Sequence, residues 1–506
     1  MAFLWNFVKK YRLELIIAVL LTLAYFFLRL YQIMSLPIFT DEAIYVRWSQ
    51  IARQDASWRF ISLTDGKQPM FVWIALNLMR FVKDPLLASR LVSVFAGFAT
   101  MIGLFFLGRE IFKNRWIGIL SAFLYLIFPF ALVYDRMALY DSLVGTFAVW
   151  SLYFEILLIR RLRLDVALIL GMVLGGGILT KTSGFFSIYL MPFMFLIFDW
   201  KSKKKSERFI LFIILALVSI ILAYCYYSIL RLSPFFSIIG DKNANFVYPI
   251  RDWLMHPFTF FIGNIKGVFD WLTIYLTWPI FVLIIASFFI SLRFLKEKLI
   301  LLIWFLIPFL AIALFGRILY PRFILFMTLF LLPLAAFSIY EIFTRVKNKY
   351  VSFAVVLAFL LISLRSDYFI LTDFANAPIP KSDLEQYING WPAGGGTNQI
   401  IEYLNNESKK GKIFVASPGT FGSLPTFTTE IYLGKNKNVE KKGYYPIPSE
   451  FPKELVEKSK KMPVYLFFSN QKEFEEYVKT WPLKLIVQYK KGIGDSYSKL
   501  FIVESK

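Results

Sequence analysis

The chain reads LELIIAVLLTLAYFFLRLYQIMSLPIFTDE over residues 13–42, an apolar stretch that ends in two adjacent carboxylates. The part from Leu13 to Leu30 is long enough to cross a hydrocarbon core about 30 Å thick. Asp41 and Glu42 follow it within a short segment, and carboxylates next to hydrocarbon are costly unless they have a function. The stretch therefore predicts a membrane protein that places two carboxylates at a membrane surface.

The Asp41-Glu42 pair allows two interpretations. It can be a base that faces a membrane-borne substrate, or it can start an interfacial helix that runs from Thr40 to Gln54, where acidic residues stabilise the helix N-terminus. The pair alone leaves both interpretations open.

The composition excludes a soluble globular protein. Of the 506 residues, 58% are hydrophobic and 19% are aromatic, and the mean hydropathy is +0.60. Cys225 is the single cysteine and lies in an apolar stretch, so no intramolecular disulfide can form. Lys9, Lys10 and Arg12 precede the first apolar span, and no small-residue cleavage site follows it, which is typical of a retained signal anchor.

The formal net charge of +22 would suggest nucleic-acid binding in a soluble chain. Here much of the positive charge lies in short loops between apolar spans, where it sets the topology of a membrane protein. We assign five such clusters to the cytoplasm: Arg109/Lys113/Arg115, Arg160/Arg161/Arg163, Lys201/Lys203/Lys204/Lys205/Arg208, Arg293/Lys296/Lys298 and Arg345/Lys347/Lys349.

This assignment predicts a polytopic all-α membrane domain over residues 1–366, with a cytoplasmic N-terminus and an extracytoplasmic C-terminus. About eleven crossings are expected, at 13–31, 86–108, 116–134, 141–159, 165–180, 183–199, 209–230, 271–292, 299–316, 322–341 and 350–366. The apolar segment from Met70 to Val82 is too short to cross. We expect it to be an interfacial helix on the outer face, paired with a helix from Asp41 to Gln54.

The composition changes after residue 376, where amphipathic elements replace the apolar runs. After a linker over 367–398, residues 399–506 are predicted to form an extracytoplasmic α/β domain. Helices are expected at 400–408, 450–461 and 471–479, and strands at 412–416, 463–468, 484–490 and 498–504. The segment from Trp391 to Gly396 reads WPAGGG and is similar to a glycine-rich phosphate turn. It lacks a preceding strand and a following Lys-Ser/Thr, which favours a structural turn.

Polar motifs recur along the predicted outer face. They are Asp41-Glu42 after the first span, Asp65-Gly-Lys67-Gln-Pro69 with Trp73, Arg90, Arg136-x4-Asp141, and Thr180-Lys181. Over residues 30–200 in particular, this series resembles the GT-C fold membrane glycosyltransferases of the protein O-mannosyltransferase and lipid A aminoarabinose transferase superfamily. The resemblance implies inverting sugar transfer from a polyprenyl-phosphate carrier to a protein, lipid or glycan acceptor at the outer face.

The resemblance also assigns roles to residues. Asp41 matches the catalytic carboxylate and is expected to be the general base, Glu42 to orient it or bind a sugar hydroxyl, and Asp141 to be a further catalytic candidate or a helix cap. Lys67 matches the lysine that holds the carrier phosphate, although it can also be an interfacial lysine that extends its amine to the membrane surface. The other candidates for binding the donor phosphate are Arg322, Arg317, Lys181 and Arg136.

A metal ion is not assigned. Some aminoarabinose-type relatives place an ion on a glutamate before the loop lysine, and here that position is Gly66. Asp65 and His256 are the weak candidates that remain, and a single histidine is more often a loop or interface residue.

Two other classes of function fit the sequence less well. A lipid or glycan transporter or flippase without transferase activity would be expected to show ionisable residues at mid-span and internal repeats. The candidate spans hold few such charges, and no repeat is evident in the sequence. A binding protein that uses its helices only as an anchor would not need eleven spans.

Overall fold

The computed structural model describes residues 10–469 and 480–504. The helix predicted at 471–479 lies outside the described residues.

Helices make up most of the chain up to residue 372. They are α1 Arg12–Leu30, α2 Thr40–Gln54, α3 Met70–Leu78, α4 Pro85–Phe112, α5 Arg115–Leu126, α6 Pro129–Tyr134, α7 Asp141–Arg161, α8 Leu164–Thr180, α9 Phe185–Leu190, α10 Lys205–Ser228, α11 Ile238–Ala244, α12 Ile250–Met255, α13 Phe261–Leu276, α14 Trp278–Ile290, α15 Leu295–Phe315, α16 Leu325–Thr328, α17 Leu332–Arg345 and α18 Lys349–Thr372. Short 3₁₀ segments lie at Ala56–Trp58, Ile61–Asp65, Thr182–Gly184, Met191–Ile197, Ile229–Leu232, Pro321–Ile324 and Leu329–Leu331.

Seven helical stretches in the described residues are long and apolar enough to cross a membrane: Arg12–Leu30, Pro85–Phe112, Asp141–Arg161, Lys205–Leu232, Leu295–Phe315, Pro321–Arg345 and Lys349–Thr372. An eighth is possible if α13 and α14, which meet at 98°, form one broken span. The chain is therefore a multi-pass membrane protein. The three other predicted spans fall on shorter apolar helices at Arg115–Leu126, Leu164–Thr180 and Thr182–Ile197, so the count of eleven crossings stays a prediction.

Two of the predicted spans are interrupted, each next to a proline. The span expected at 116–134 divides into α5 and α6, and Pro129 is the first residue of α6. The span expected at 271–292 bends at Thr277, whose φ is +63°, and Pro279 follows at the start of α14. A proline removes a backbone donor and disfavours helix in the residue before it, so it ends one helix and begins the next.

The chain divides into two compact units. The first, which we call the helical unit, contains residues up to Tyr31, Ser57–Ile74 and Arg90–Asp373. The second, the sheet unit, contains Gln32–Ala56, Ala75–Ser89 and the residues from Phe374 onward. Two parts of the first loop thus group with the C-terminal residues. The boundaries predicted for three regions, 1–366, 367–398 and 399–506, stay a prediction.

A buried polar cluster lies within the helical unit. Arg29 forms an ion pair with Asp135 at 3.3 Å, and both side chains are fully buried. Asp135 also accepts hydrogen bonds from Tyr25 at 3.2 Å, Tyr125 at 3.1 Å and Ser142 at 2.9 Å. A buried charge is tolerated only with such partners. Asp135 therefore connects α1, α5 and α7.

The sheet unit contains the small α/β fold expected at the C-terminus. Its strands are β1 Ile413–Pro418, β2 Val439–Tyr444, β3 Val464–Phe468, β4 Leu483–Lys490 and β5 Tyr497–Val503, and its further helical segments are Phe374–Asn376, α19 Lys381–Leu384, Glu385–Asn389, α20 Thr397–Lys410, α21 Leu424–Leu433 and α22 Lys453–Ser459. The five strands form one sheet in the order β2-β1-β3-β5-β4, parallel over the first three and antiparallel over the rest. Helix α21 and the edge strand β2 were not predicted.

Candidate active site

The helical unit contains a cavity of about 570 Å³ whose lining combines cations with aromatic rings. Its lining includes one carboxylate, Asp141, and four cationic side chains: Lys67, Lys181, Lys242 and Arg322. The aromatic residues of the lining are Phe185, Phe186, Tyr189, Phe246, Tyr248, Phe315, Phe323 and Phe326. The excess of positive charge suits an anion, and the apolar surface suits a hydrocarbon chain.

Lys67 reaches this cavity because of a tight turn before it. The 3₁₀ segment Ile61–Asp65 ends at Gly66, whose φ of +67° is in the left-handed region that favours glycine. A side chain on Gly66 would also crowd Lys242 and the carbonyl of Ile238. The Lys67 ammonium lies 5.2 Å from the centroid of the Phe246 ring, within the range of a cation–π contact.

Asp141 is ion-paired within the cavity lining. Its carboxylate accepts a hydrogen bond from the Lys181 ammonium at 2.7 Å, and Lys181 also lies 4.5 Å from the ring centroid of Phe323. Asp141 is the first residue of α7, where a carboxylate is also favoured by the helix dipole. The structure therefore gives Asp141 two stabilising roles beside the predicted catalytic one, which stays a prediction.

Arg322 and Arg317 occupy different positions in the segment that follows α15. Arg322 lies in the 3₁₀ segment Pro321–Ile324 and lines the cavity, with its guanidinium 5.1 Å from the ring centroid of Tyr320. Arg317 has an exposed side chain, and it is not in the cavity lining. Its backbone N–H donates to the carbonyl of Phe246 at 2.8 Å.

Arg136, the remaining phosphate candidate, is not in the cavity lining. Its side chain is buried, and its guanidinium donates to the backbone carbonyls of Tyr31 at 2.8 Å and Ile370 at 3.4 Å. These contacts indicate that Arg136 connects α18 to the end of α1. Phosphate binding by Arg136 stays a prediction.

Helix α11 contributes residues that were not among the predicted site residues. Lys242 lines the cavity and forms an ion pair with Asp65 at 2.5 Å. Asn243 also lines the cavity and bonds to the Thr182 hydroxyl, which accepts a second hydrogen bond from Gln68 at 2.9 Å. Lys242 is far from Lys67 in the sequence, and no sequence pattern connects the two residues. The one indication that Lys242 belongs to the site is its place in the predicted outer loop between the spans at 209–230 and 271–292.

Asp41 and Glu42 lie in the sheet unit, in the first turn of α2. Glu42 is fully buried and accepts a hydrogen bond from the backbone N–H of Phe39 at 3.0 Å. This contact caps the N-terminus of the helix, as the alternative interpretation expected. Asp41 is partly exposed, whereas Glu42 is fully buried.

The two metal candidates, Asp65 and His256, contact different residues. Asp65 pairs with Lys242, whereas His256 lines a second cavity of about 370 Å³ with Asp252 and Trp253. Within residues 10–469 and 480–504, no three His, Cys, Asp or Glu side chains come together as a metal site would require. Asp65 and His256 thus do not share a site, and the metal assignment stays a prediction.

Comparison with known proteins places these residues in a family context. Residues 66–226 match the profile of a family described as dolichyl-phosphate-mannose-protein mannosyltransferase. This range includes Lys67, Asp141 and Lys181 of the cavity but not Asp41. No curated protein matches the chain in sequence.

Solved structures match nearly the whole chain. ArnT from Cupriavidus metallidurans bound to undecaprenyl phosphate is similar with a TM-score of 0.58 and 12% identity, covering 97% of this chain and 98% of that one. The family match and, at the level of the fold, this structure together confirm the resemblance to the GT-C superfamily. The Archaeoglobus fulgidus oligosaccharyltransferase with Zn and sulfate gives a TM-score of 0.56 at 13% identity, covering 94% and 73%. Its complex with an inhibitory peptide and a dolichol-phosphate gives 0.53 at 14%, covering 91% and 70%.

At these identities the solved structures show the fold, and the family match adds the class of activity. Together with the apolar helices, they indicate a membrane glycosyltransferase.

Proposed function

We propose that this chain transfers a sugar from a polyprenyl-phosphate carrier to an acceptor hydroxyl at the outer face of the membrane. The observation that carries the proposal is the cavity of the helical unit, where four cations and one carboxylate are combined with eight aromatic residues. A ligand that carries both a phosphate and a long hydrocarbon chain matches both the cations and the aromatic surface of this cavity. The similar structures that are bound to undecaprenyl phosphate and to a dolichol-phosphate support the same class of donor.

The reaction is a single displacement at the anomeric carbon. The Asp41 carboxylate accepts the proton of the acceptor hydroxyl while the oxygen of that hydroxyl forms a bond to the anomeric carbon. The bond between this carbon and the phosphate oxygen breaks, and its electron pair stays on the lipid phosphate. One displacement inverts the anomeric configuration, and the products are the glycosylated acceptor and a polyprenyl monophosphate.

The cations act on the leaving group. The lipid phosphate gains one negative charge as the glycosidic bond breaks, so nearby cations stabilise the transition state more than the bound donor. Lys67 and Arg322 are the residues that we expect to hold the phosphate. Lys181, with Asp141 as its partner, would keep its ammonium in place at the same cavity.

The proposed topology puts the N-terminus in the cytoplasm and the sheet unit outside.

The acceptor can be a protein, a lipid or a growing glycan, since each offers the hydroxyl that the reaction needs.

The test is to incubate the purified protein with candidate polyprenyl-phosphate sugars and acceptors. We expect one lipid-linked sugar to be consumed. Polyprenyl phosphate and a glycosylated acceptor should form together at its expense. Movement of the intact lipid-linked sugar across vesicle membranes without its consumption would instead support the flippase.

A further inference from the structure

The glycine-rich segment Trp391–Gly396 contacts the residues just before Asp41. The carbonyl of Pro392 accepts two hydrogen bonds from Thr40, from the backbone N–H at 3.1 Å and from the hydroxyl at 2.9 Å. Phe39 pairs with Ala393 in an antiparallel bridge. Gly394 packs on the carbonyl of Ile38 so closely that a Cβ there would overlap it.

The same segment also accepts hydrogen bonds from residues in and next to the sheet. The buried Lys491 donates from its side-chain nitrogen to the carbonyl of Trp391 at 3.0 Å and to that of Ser469 at 2.8 Å. Ser498 of β5 donates its hydroxyl to the carbonyl of Gly395 at 2.7 Å. The glycine-rich segment is thus bonded on one side to the sheet and on the other to the residues that start α2.

Helix α2 is also fixed along its length by α21. Arg47 forms an ion pair with Glu430 at 2.7 Å, and Gln50 donates to the carbonyl of Ile431 at 3.1 Å. Ala43 and Val46 belong to the same buried apolar cluster as residues of α21. All these contacts lie within the sheet unit.

We infer that the C-terminal fold is a positioning element for catalysis: the segment Trp391–Gly396 sets the backbone of residues 38–40 and thereby the position of the Asp41 carboxylate. This inference rests on the proposed function, because it gives Asp41 the role of base. It assigns a function to the glycine-rich segment other than phosphate binding, namely close backbone packing. Positioning matters because small displacements of a catalytic group lower the rate strongly.

The first test is Thr40→Val, which keeps the branched shape and removes the hydroxyl donor. We expect kcat to fall about tenfold, which corresponds to the free energy of one lost hydrogen bond. The donor KM should stay within about twofold of the wild-type value. Thr40→Ser restores the hydroxyl and should recover most of the wild-type kcat. Thr344→Val, on the exposed end of α17, is the matched control and should have wild-type kinetics.

The second test is Gly394→Ala, which forces the carbonyl of Ile38 to move. We expect kcat to fall about a hundredfold, with donor binding unchanged because the donor cavity lies in the helical unit. Gly411→Ala is the matched control in the same unit, since a Cβ at Gly411 meets nothing within 4 Å. Donor affinity measured directly on the purified variant separates a displaced base from an unfolded protein.

Two results would overturn the inference. One is a Thr40→Val variant with the kcat of the wild type, and the other is a Gly394→Ala variant whose loss appears as raised donor KM at constant kcat. Failure of the proposed function gives a different result, because the wild type itself would then consume no lipid-linked sugar, or Asp41→Asn would keep its turnover.

Discussion

Asp41 and Glu42 are adjacent in sequence, yet their surroundings separate their roles. Glu42 is fully buried and its carboxylate caps α2 through the N–H of Phe39, whereas Asp41 is partly exposed. A general base must reach a proton of the acceptor. The partly exposed residue is therefore the better candidate, which agrees with the role that the resemblance implied for Asp41.

Replacing Asp41 with asparagine keeps the size of the side chain and removes the proposed base. We expect turnover to fall by a factor of about 10²–10⁴, the range for loss of general-base catalysis, while the protein still folds. The measurement is the rate of product formation at saturating donor. Asp55→Asn, just beyond the end of α2, is the matched control and should keep its activity; retained activity in Asp41→Asn would move the role to another carboxylate.

Replacing Lys67 or Arg322 with alanine removes a cation from the cavity that we propose to bind the donor. Because the leaving phosphate carries more charge in the transition state, we expect kcat to fall more than the donor KM rises. The measurement is a full kinetic analysis in which the donor concentration is varied. Lys83→Ala removes an exposed lysine and serves as the control, and a change confined to donor KM in the cavity variants would argue against transition-state stabilisation.

At the scale of elements, hydropathy predicted the long apolar helices well because length and apolar composition alone decide whether a helix can span a membrane. It did not separate continuous helices from broken ones, such as the bent pair that meets at Thr277. In the sheet unit, strands β1 and β3 were predicted correctly. Both strands are buried, so each appears in the sequence as a short run of apolar residues. The edge strand β2 reads VEKKGY and is largely exposed, so no hydrophobic pattern marked it.

The contact between the sheet and the glycine-rich segment has a consequence for stability at different pH values. Burial lowers the pKa of Lys491 to about 7, against about 10.4 in an unfolded chain. Between these values the unfolded chain binds more protons, so this residue makes the sheet unit more stable as the pH rises from about 7 to about 10. Below about pH 7 both states are protonated and the contribution no longer changes.

Lys491→Met should remove this part of the pH dependence. The measurement is the midpoint of thermal unfolding of the purified protein at pH 6.5 and pH 9, compared between the variant and the wild type. Lys490→Met, which changes the exposed neighbour, should leave the difference between the two pH values unchanged. An equal pH dependence in wild type and Lys491→Met would show that the lysine is charged in the folded protein throughout.

At the scale of the whole molecule, the series of polar motifs between the apolar helices was sufficient to predict the superfamily. Of the predicted phosphate ligands, the cavity brings together Lys67, Lys181 and Arg322 but not Arg136 or Arg317. Lys242 joins them through a contact to Asp65 that no local pattern encodes. The grouping of residues 32–56 with the C-terminal fold likewise depends on tertiary contacts.

The central claim is that the chain consumes a lipid-linked sugar. The most direct measurement follows purified protein with a labelled polyprenyl-phosphate sugar and an acceptor, quantifying released polyprenyl phosphate and glycosylated product in the same reaction. We predict that the two products appear in equal amounts and that both disappear in Asp41→Asn. Equal turnover with a soluble nucleotide sugar, or product formation that needs no lipid carrier, would contradict the claim.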